Sequence, residues 1–332
     1  MSGSTKSSID IAKFVFCLCI VAIHTHLFGN YYWIEQYILR LGVPFFFITS
    51  GYFLGKKLDQ CLSNSDIKNI IGKYCHRLLL PLLVFSIINL IEVNIDYYYA
   101  GKSMLDIVLL NIRNILFYPY GALWFVQACI FGALFLLPFL VNKKLNIALV
   151  LGIILYSFAL LANNYYFIAE DIGLKGLINT YNHIFISPRN GLFVGFVYLA
   201  LGIKAFQIQQ YISKRATVIA LVAGCVFLFV EVLALKEMSS ADDQSLYVSH
   251  LLVVPAIMLL LQGWFIPLNY DFSILLRNLS TGVYFLHKPL IWIVRHFTTD
   301  VPSVYFSTVI LAIMICIVIY KTKILSLDKI LK

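Results

Sequence analysis

The chain has 332 residues, 61% of them hydrophobic and 12% charged, with a mean hydropathy of +0.87. An ordinary globular chain is about half apolar and about a quarter charged, so water is excluded as the main solvent and a single membrane domain is expected. The formal charge of +9 does not point to nucleic acid, because the lysines and arginines sit in short clusters between apolar runs and no segment can carry a basic surface patch.

At about 20 apolar residues per helix, the spans expected in chain order are 9–28, 36–55, 75–95, 121–141 and 145–163, then 190–206, 216–235, 247–265, 275–297 and 303–320. The fold class is therefore an all-α integral membrane protein, a bundle of about ten transmembrane helices. A polar tail (1–8) precedes one transmembrane domain (9–320), and a basic tail (321–332) follows it. The first run is expected to be a retained helix and not a cleaved leader, since it contains Asp10, Lys13, His24 and His26 and lacks a small-residue cleavage site. Most of the 25 lysines and arginines fall at the even-numbered connections and the two ends. Arg40, Lys102, Arg113, Lys175, Arg189, Lys236, Lys288 and Arg295 fall opposite. Cytoplasmic loops hold the excess of positive charge, so both termini are expected in the cytoplasm. Connections 96–120 and 164–189, rich in tyrosine and asparagine, are long enough to form a lid. The seven cysteines form no C-x-x-C pair and suggest no disulfide framework.

A charged group inside a membrane helix costs about 2.5 to 3.5 kcal/mol, and the first helix has several polar groups to explain. Its sequence S-I-D-I-A-K-F-V-F-C-L-C-I-V-A-I-H-T-H places Asp10, Lys13, Cys17 and His24 on one stripe. His24 lies roughly 16 Å above Lys13 at 1.5 Å of rise per residue. A neutral His24 can serve as general base, with Asp10 and Lys13 positioning it or binding an anionic substrate; the alternative is that His24 bonds a neighbouring helix. Gly42, Pro44, Ser50 and Gly51 in the second helix point to a kink or to close packing.

These residues resemble the acyltransferase 3 superfamily of membrane-bound, acyl-CoA-dependent O- and N-acyltransferases, over nearly the whole chain. The family's first helix carries D-x-x-R followed by a catalytic histidine, and Asp10, Lys13 and His24 occupy those places; the arginine is a lysine, which keeps the charge without the bidentate fork. The segment P-F-F-F-I-T-S-G-Y-F-L, with Ser50, matches the family's second-helix element. K-Y-C-H-R-L-L-L-P, A-L-W-F-V-Q and T-G-V-Y-F-L-H-K-P-L resemble three more. The second-helix segment is also similar to the membrane domain of the serine racemases of vancomycin resistance, relatives of the acyltransferases.

The resemblance implies a protein of the bacterial cytoplasmic membrane that moves an acyl group, expected to be acetyl, from cytoplasmic acyl-CoA to a hydroxyl or amine of a cell-envelope glycan, lipid-linked sugar or small molecule. Acyl-CoA is a co-substrate, and no bound cofactor is implied. Lys73, His76 and Arg77 would meet its phosphates, although Lys73 serves equally as an ordinary positive-inside anchor. Trp124 and Gln127, sharing a helix face, would line the acyl or pantetheine channel with Ser50; Trp124 fits an interfacial belt equally well. Tyr284 and His287 would orient the acceptor. Arg40, Glu92, Asp96 and Arg189 form a polar ring suited to an acceptor vestibule or to ion-paired scaffolding. No metal constellation is present in the sequence. The competing expectation is a transporter or substrate-binding membrane module for serine or another small solute.

Overall fold

A computed structural model describes residues 7–29, 31–239, 244–264 and 266–322, and among these there is no strand. The expected tails 1–8 and 321–332 lie largely outside the described residues; Ser7 and Ser8 already belong to the first helix and Lys321 to the last.

The described residues form thirteen α-helices in order: α1 (Ser7–Thr25), α2 (Gly42–Leu58), α3 (Asn64–Tyr99), α4 (Met104–Phe117), α5 (Trp124–Val141), α6 (Leu145–Leu161), α7 (Tyr166–Asp171), α8 (Lys175–Phe185), α9 (Phe196–Ile208), α10 (Lys214–Met238), α11 (His250–Gly263), α12 (Tyr270–Arg295) and α13 (Val301–Thr322). A π turn and a 3-10 turn run into α2, and a second π turn runs into α9. Among the described residues, seven helical segments are long and apolar enough to cross a membrane: α1, Ile34–Leu58, α3, α5, Gly191–Ile208, α10 and α13. The expected ten is not reached on that measure. Helices α6 and α11 are apolar but shorter, and α12 interrupts its apolar run with Asp271, Arg277, Lys288 and Arg295.

Helix starts follow local chemistry. Ser63 and Asp66 form a reciprocal capping box at α3, and Ser103, Ser213 and Asn269 cap α4, α10 and α12. The Ser103 cap is why connection 96–120 is not a loop: α3 runs on to Tyr99 and α4 follows. In the same way 164–189 folds into α7 and α8. Arg113 of α4 donates to the carbonyls of Asn182, His183 and Ile184 at 3.3, 2.6 and 3.3 Å, closing the end of α8 where helix carbonyls lack partners.

The main packing pairs are α2 with α9, α1 with α12, α12 with α13, α10 with α11 and α3 with α5. In the tightest of them a Cβ on Gly51 would collide with the backbone of Leu199, and one on Gly202 with the backbone of Ile48 and Tyr52. Close backbone approach, the mode by which membrane helices associate, therefore explains Gly51. Pro44 sits in the first turn of α2, where the 3-10 turn Leu39–Leu41 gives way to α-helix, a position more tolerant of proline than a helix interior. Gly51→Leu is expected to exceed the roughly 1 to 3 kcal/mol of ordinary overpacking, because it meets backbone. A large fall in the thermal midpoint of the detergent-purified protein checks this; an unchanged midpoint contradicts the packing.

The outward faces of α3 and α10 expose Leu80, Leu83, Ile87 and Ile91, and Ile219, Val222, Val226 and Val230. Apolar surface this extensive is unsuited to water and fits lipid.

Candidate active site

Helix α1 ends in a left-handed turn. His26 has φ 60°, its N–H donates to Ile23 and that of Leu27 to Ala22, the Schellman arrangement that closes a helix. The stop leaves His24 in the last turn of α1. Its ring stacks on that of His287 from α12, with centroids 5.1 Å apart and planes 30° apart.

The second histidine has a defined tautomer. His287 Nδ1 lies 2.5 Å from the Tyr284 carbonyl oxygen, which only accepts, so Nδ1 carries the proton and Nε2 keeps its lone pair. Nε2 is buried with no hydrogen-bond partner among the described residues. Tyr284 is spent on structure, its hydroxyl donating to the Ala122 carbonyl.

His24 opens on a cavity of about 410 Å³, within the size range of small-molecule sites. Its wall runs from His26 down α1 to Ile20, with Pro44, Phe47, Trp124 and Tyr198 across from it and Arg40, Arg189, Lys288 and Arg295 contributing positive charge. Arg40 pairs with Glu35 at 3.0 Å. Arg189 lies over the rings of Tyr118 and Trp124, 5.4 Å from each centroid, a cation–π arrangement, and donates to Ser245 at 3.4 Å.

One wall is the segment carrying Ser245 and Leu246, fixed by a buried acid. Glu231 of α10 accepts from the backbone N–H of Val248 at 2.6 Å and of Ser249 at 2.9 Å, and from the Tyr165 hydroxyl. Asn163 accepts from Ser245 and Leu246 N–H at 3.2 Å each. Glu231 is absent from the sequence expectations; a carboxylate inside the run F-L-F-V-E-V-L-A-L is the signal that could have found it.

At the other end of α1, Asp10 is buried and held by a two-pronged bridge from Arg277 of α12, Nε to Oδ1 at 3.0 Å and Nη2 to Oδ2 at 2.9 Å, with Ser273 donating at 2.8 Å. The bidentate fork absent from Lys13 is thus present on α12. Lys13 sits within the field of Asp10, Arg277 and Arg77. Arg277→Ala is expected to destabilise by less than the roughly 3 to 5 kcal/mol of a fully buried broken pair, since Arg277 is 43% exposed. Adding Asp10→Asn should recover part of the loss, read by a thermal double-mutant cycle; a strictly additive pair would contradict the bridge.

Residues 6–321 match the family described as the acyltransferase domain, acyltransferase 3. The chain belongs to the acyltransferase 3 family. It is 26% identical over 251 residues to a serine/alanine racemase of Enterococcus gallinarum, covering 73% of this chain and 35% of the relative. Two amino-acid racemases of Enterococcus faecalis match at 28% and 24%, over 77% and 97% of this chain and 35% and 46% of theirs. The family member described by this structure therefore spans a third to a half of the length of those curated relatives. No solved structure matches it.

Within this family frame the structure gathers His24, Arg40, Trp124 and Arg189 around one cavity, with His287 stacked behind His24. Asp10 and Lys13 lie at the opposite end of α1. Lys73, His76 and Arg77 are exposed on α3, on the turns near the Asp10 end, and Ser50 shares a 2.8 Å hydrogen bond with Tyr74. Gln127 donates to the carbonyls of Ile115 and Leu116 at 3.1 Å each, securing the end of α4. Glu92 and Asp96 lie outside the cavity lining, and Asp96 accepts from Trp292 at 3.4 Å. Lys288, Arg295, His26 and Ser245 join the cavity although sequence reasoning did not single them out; Lys288, adjacent to His287, was the readable one. Among the described residues no cluster suits a metal ion.

Proposed function

We propose that this acyltransferase-family membrane protein takes an acyl group, acetyl being the simplest, from acyl-CoA at the Asp10 end of the bundle and delivers it to a hydroxyl or amine in the His24 cavity. The carrying observation is the stacked pair of His24 and His287 at the wall of that cavity. His24 faces the acceptor and removes its proton as the acyl carbonyl is attacked; the tetrahedral intermediate then collapses by breaking the thioester C–S bond, and the proton held by His24 goes to the departing CoA thiolate. His287, with its Nε2 lone pair, backs His24. Cations of the cavity stabilise the oxyanion that develops on the former carbonyl.

Lys13 and Arg77, which act on one another electrostatically, would meet the phosphates of the donor with exposed Lys73 and His76. An extended acyl-pantetheine arm would then rise the roughly 16 Å along α1 from Lys13 to His24. In this reading the Asp10 end faces the cytoplasm, the His24 end faces outward, and ten helices cross a bacterial plasma membrane. A cell-envelope glycan or a small metabolite is the acceptor class.

The test supplies labelled acetyl-CoA to membranes containing the protein. Label should pass to an acceptor and should not do so with His24→Ala; undiminished transfer by that variant sinks the assignment.

The names of the racemase relatives support a second reading, a module that binds or carries serine or a similar solute. Uptake of labelled serine by proteoliposomes without any acyl donor would favour it.

A further inference from the structure

The oxyanion of acyl transfer develops on a single oxygen, and with a neutral sugar as acceptor the four cations that line the His24 cavity are more than it needs. Arg40 and Arg189 have partners of their own, so the weight falls on the remaining cations, Lys288 and Arg295. Lys288 follows His287 on α12 and lines the same cavity as His24. Its ammonium makes no hydrogen bond or ion pair among the described residues; Glu92 acts on it from beyond bonding distance. Arg295, two turns further along α12, is exposed at the mouth of the cavity and is likewise without an ion pair among the described residues. A partly buried ammonium facing a cavity is a poor choice for reading hydroxyls and a good one for holding an oxyanion, where it acts as a compact point charge.

We propose that the molecule occupying this cavity is bifunctional: a carboxylate or phosphate held by Lys288, and a hydroxyl or amine a few atoms away turned toward His24. Arg295 draws the anion to the mouth, as an exposed like-signed charge does along an approach path. The substrate class is a small hydroxy- or amino-carboxylate, or the phosphate counterpart. This assignment names the acceptor of the acyltransferase reading and rests on it for the fate of the ligand, while the binding itself does not need the donor.

Three small compounds built on a three-carbon chain separate the possibilities: lactate, glycerol 3-phosphate and neutral glycerol. Each is titrated calorimetrically into the full chain in phosphatidylcholine nanodiscs without acetyl-CoA. At least one anion should bind at least tenfold tighter than glycerol, and which one does so distinguishes carboxylate from phosphate. Lys288→Gln should remove that preference and Lys288→Arg should retain most of it. If Lys288→Gln does not fold, Arg295→Gln takes its place and should weaken the preferred anion at least threefold. Equal binding of the three compounds overturns the proposal, and so does an anion preference indifferent to these variants, which would locate the anion elsewhere on the protein. Anion binding of the expected pattern together with a failure to transfer label would instead remove the acyltransferase reading and leave this site standing.

Discussion

Replacing His24 with alanine is expected to lower acyl transfer by about 10² to 10⁴-fold, the range a positioned general base contributes. The loss should appear in kcat, with the KM of the acyl donor little changed, because the proposed function puts the donor phosphates roughly 16 Å away at the Lys13 end. Helix α1 does not depend on the imidazole for its fold: the turn at His26 and Leu27 closes on backbone carbonyls. The variant should therefore keep its thermal midpoint, so that folding and chemistry separate in one preparation. Single-turnover transfer of labelled acetyl, wild type against variant, decides it, and equal rates would exclude His24 from the chemistry.

The second large effect concerns His287. It stacks on His24 and does not line the cavity, so under the proposed function its part is to position His24. A catalytic group misplaced by about 1 Å can lose 10²-fold, and His287→Ala is expected to fall by about that factor. His287→Phe restores a ring to stack but no nitrogen. If the Nε2 lone pair matters, the phenylalanine variant stays slow; a rate equal to wild type would reduce the contribution of His287 to packing. The two histidines should also be non-additive, the His24→Ala, His287→Ala double variant falling little below His24→Ala alone, as expected of groups that act as a unit.

How much of this was legible beforehand follows from what each residue must do. Asp10 and His24 stood out because polar groups in an apolar run are expensive wherever they lie. The partner of Asp10 did not, because Arg277 is more than 260 positions away and reads as an ordinary anchoring charge until α1 and α12 are packed together. Gln127 illustrates the reverse. Its place beside Trp124 on a helix face suggested a channel, yet its amide secures the end of α4, a helix the hydropathy reading left as a connection. Length and apolar content identify spans, whereas α4 in connection 96–120 and α8 in connection 164–189 are set by a Ser103 cap and by Arg113 reaching the end of α8. In the sequence Lys288 and Arg295 bear only on orientation, whereas in the fold both line the cavity. A charge count along the chain cannot tell a lysine facing lipid headgroups from one facing a cavity.

The sequence by itself determined that the protein lives in a bilayer, that it is helical and that it belongs with the acyltransferases, because hydrophobic periodicity and motif order are properties of the chain alone. Its stripe of Asp10, Lys13 and His24 was likewise fixed by helical geometry. Tertiary structure decided what that stripe means. It sends the two ends of α1 to different surroundings, a carboxylate bound by Arg277 at one and a histidine pair over a cationic cavity at the other. The physical reason is that hydrogen bonds, ring stacking and unpaired charge depend on which helices approach within a few ångströms. Glycines such as Gly51 and Gly202 permit that approach, but no linear pattern states which partner they meet.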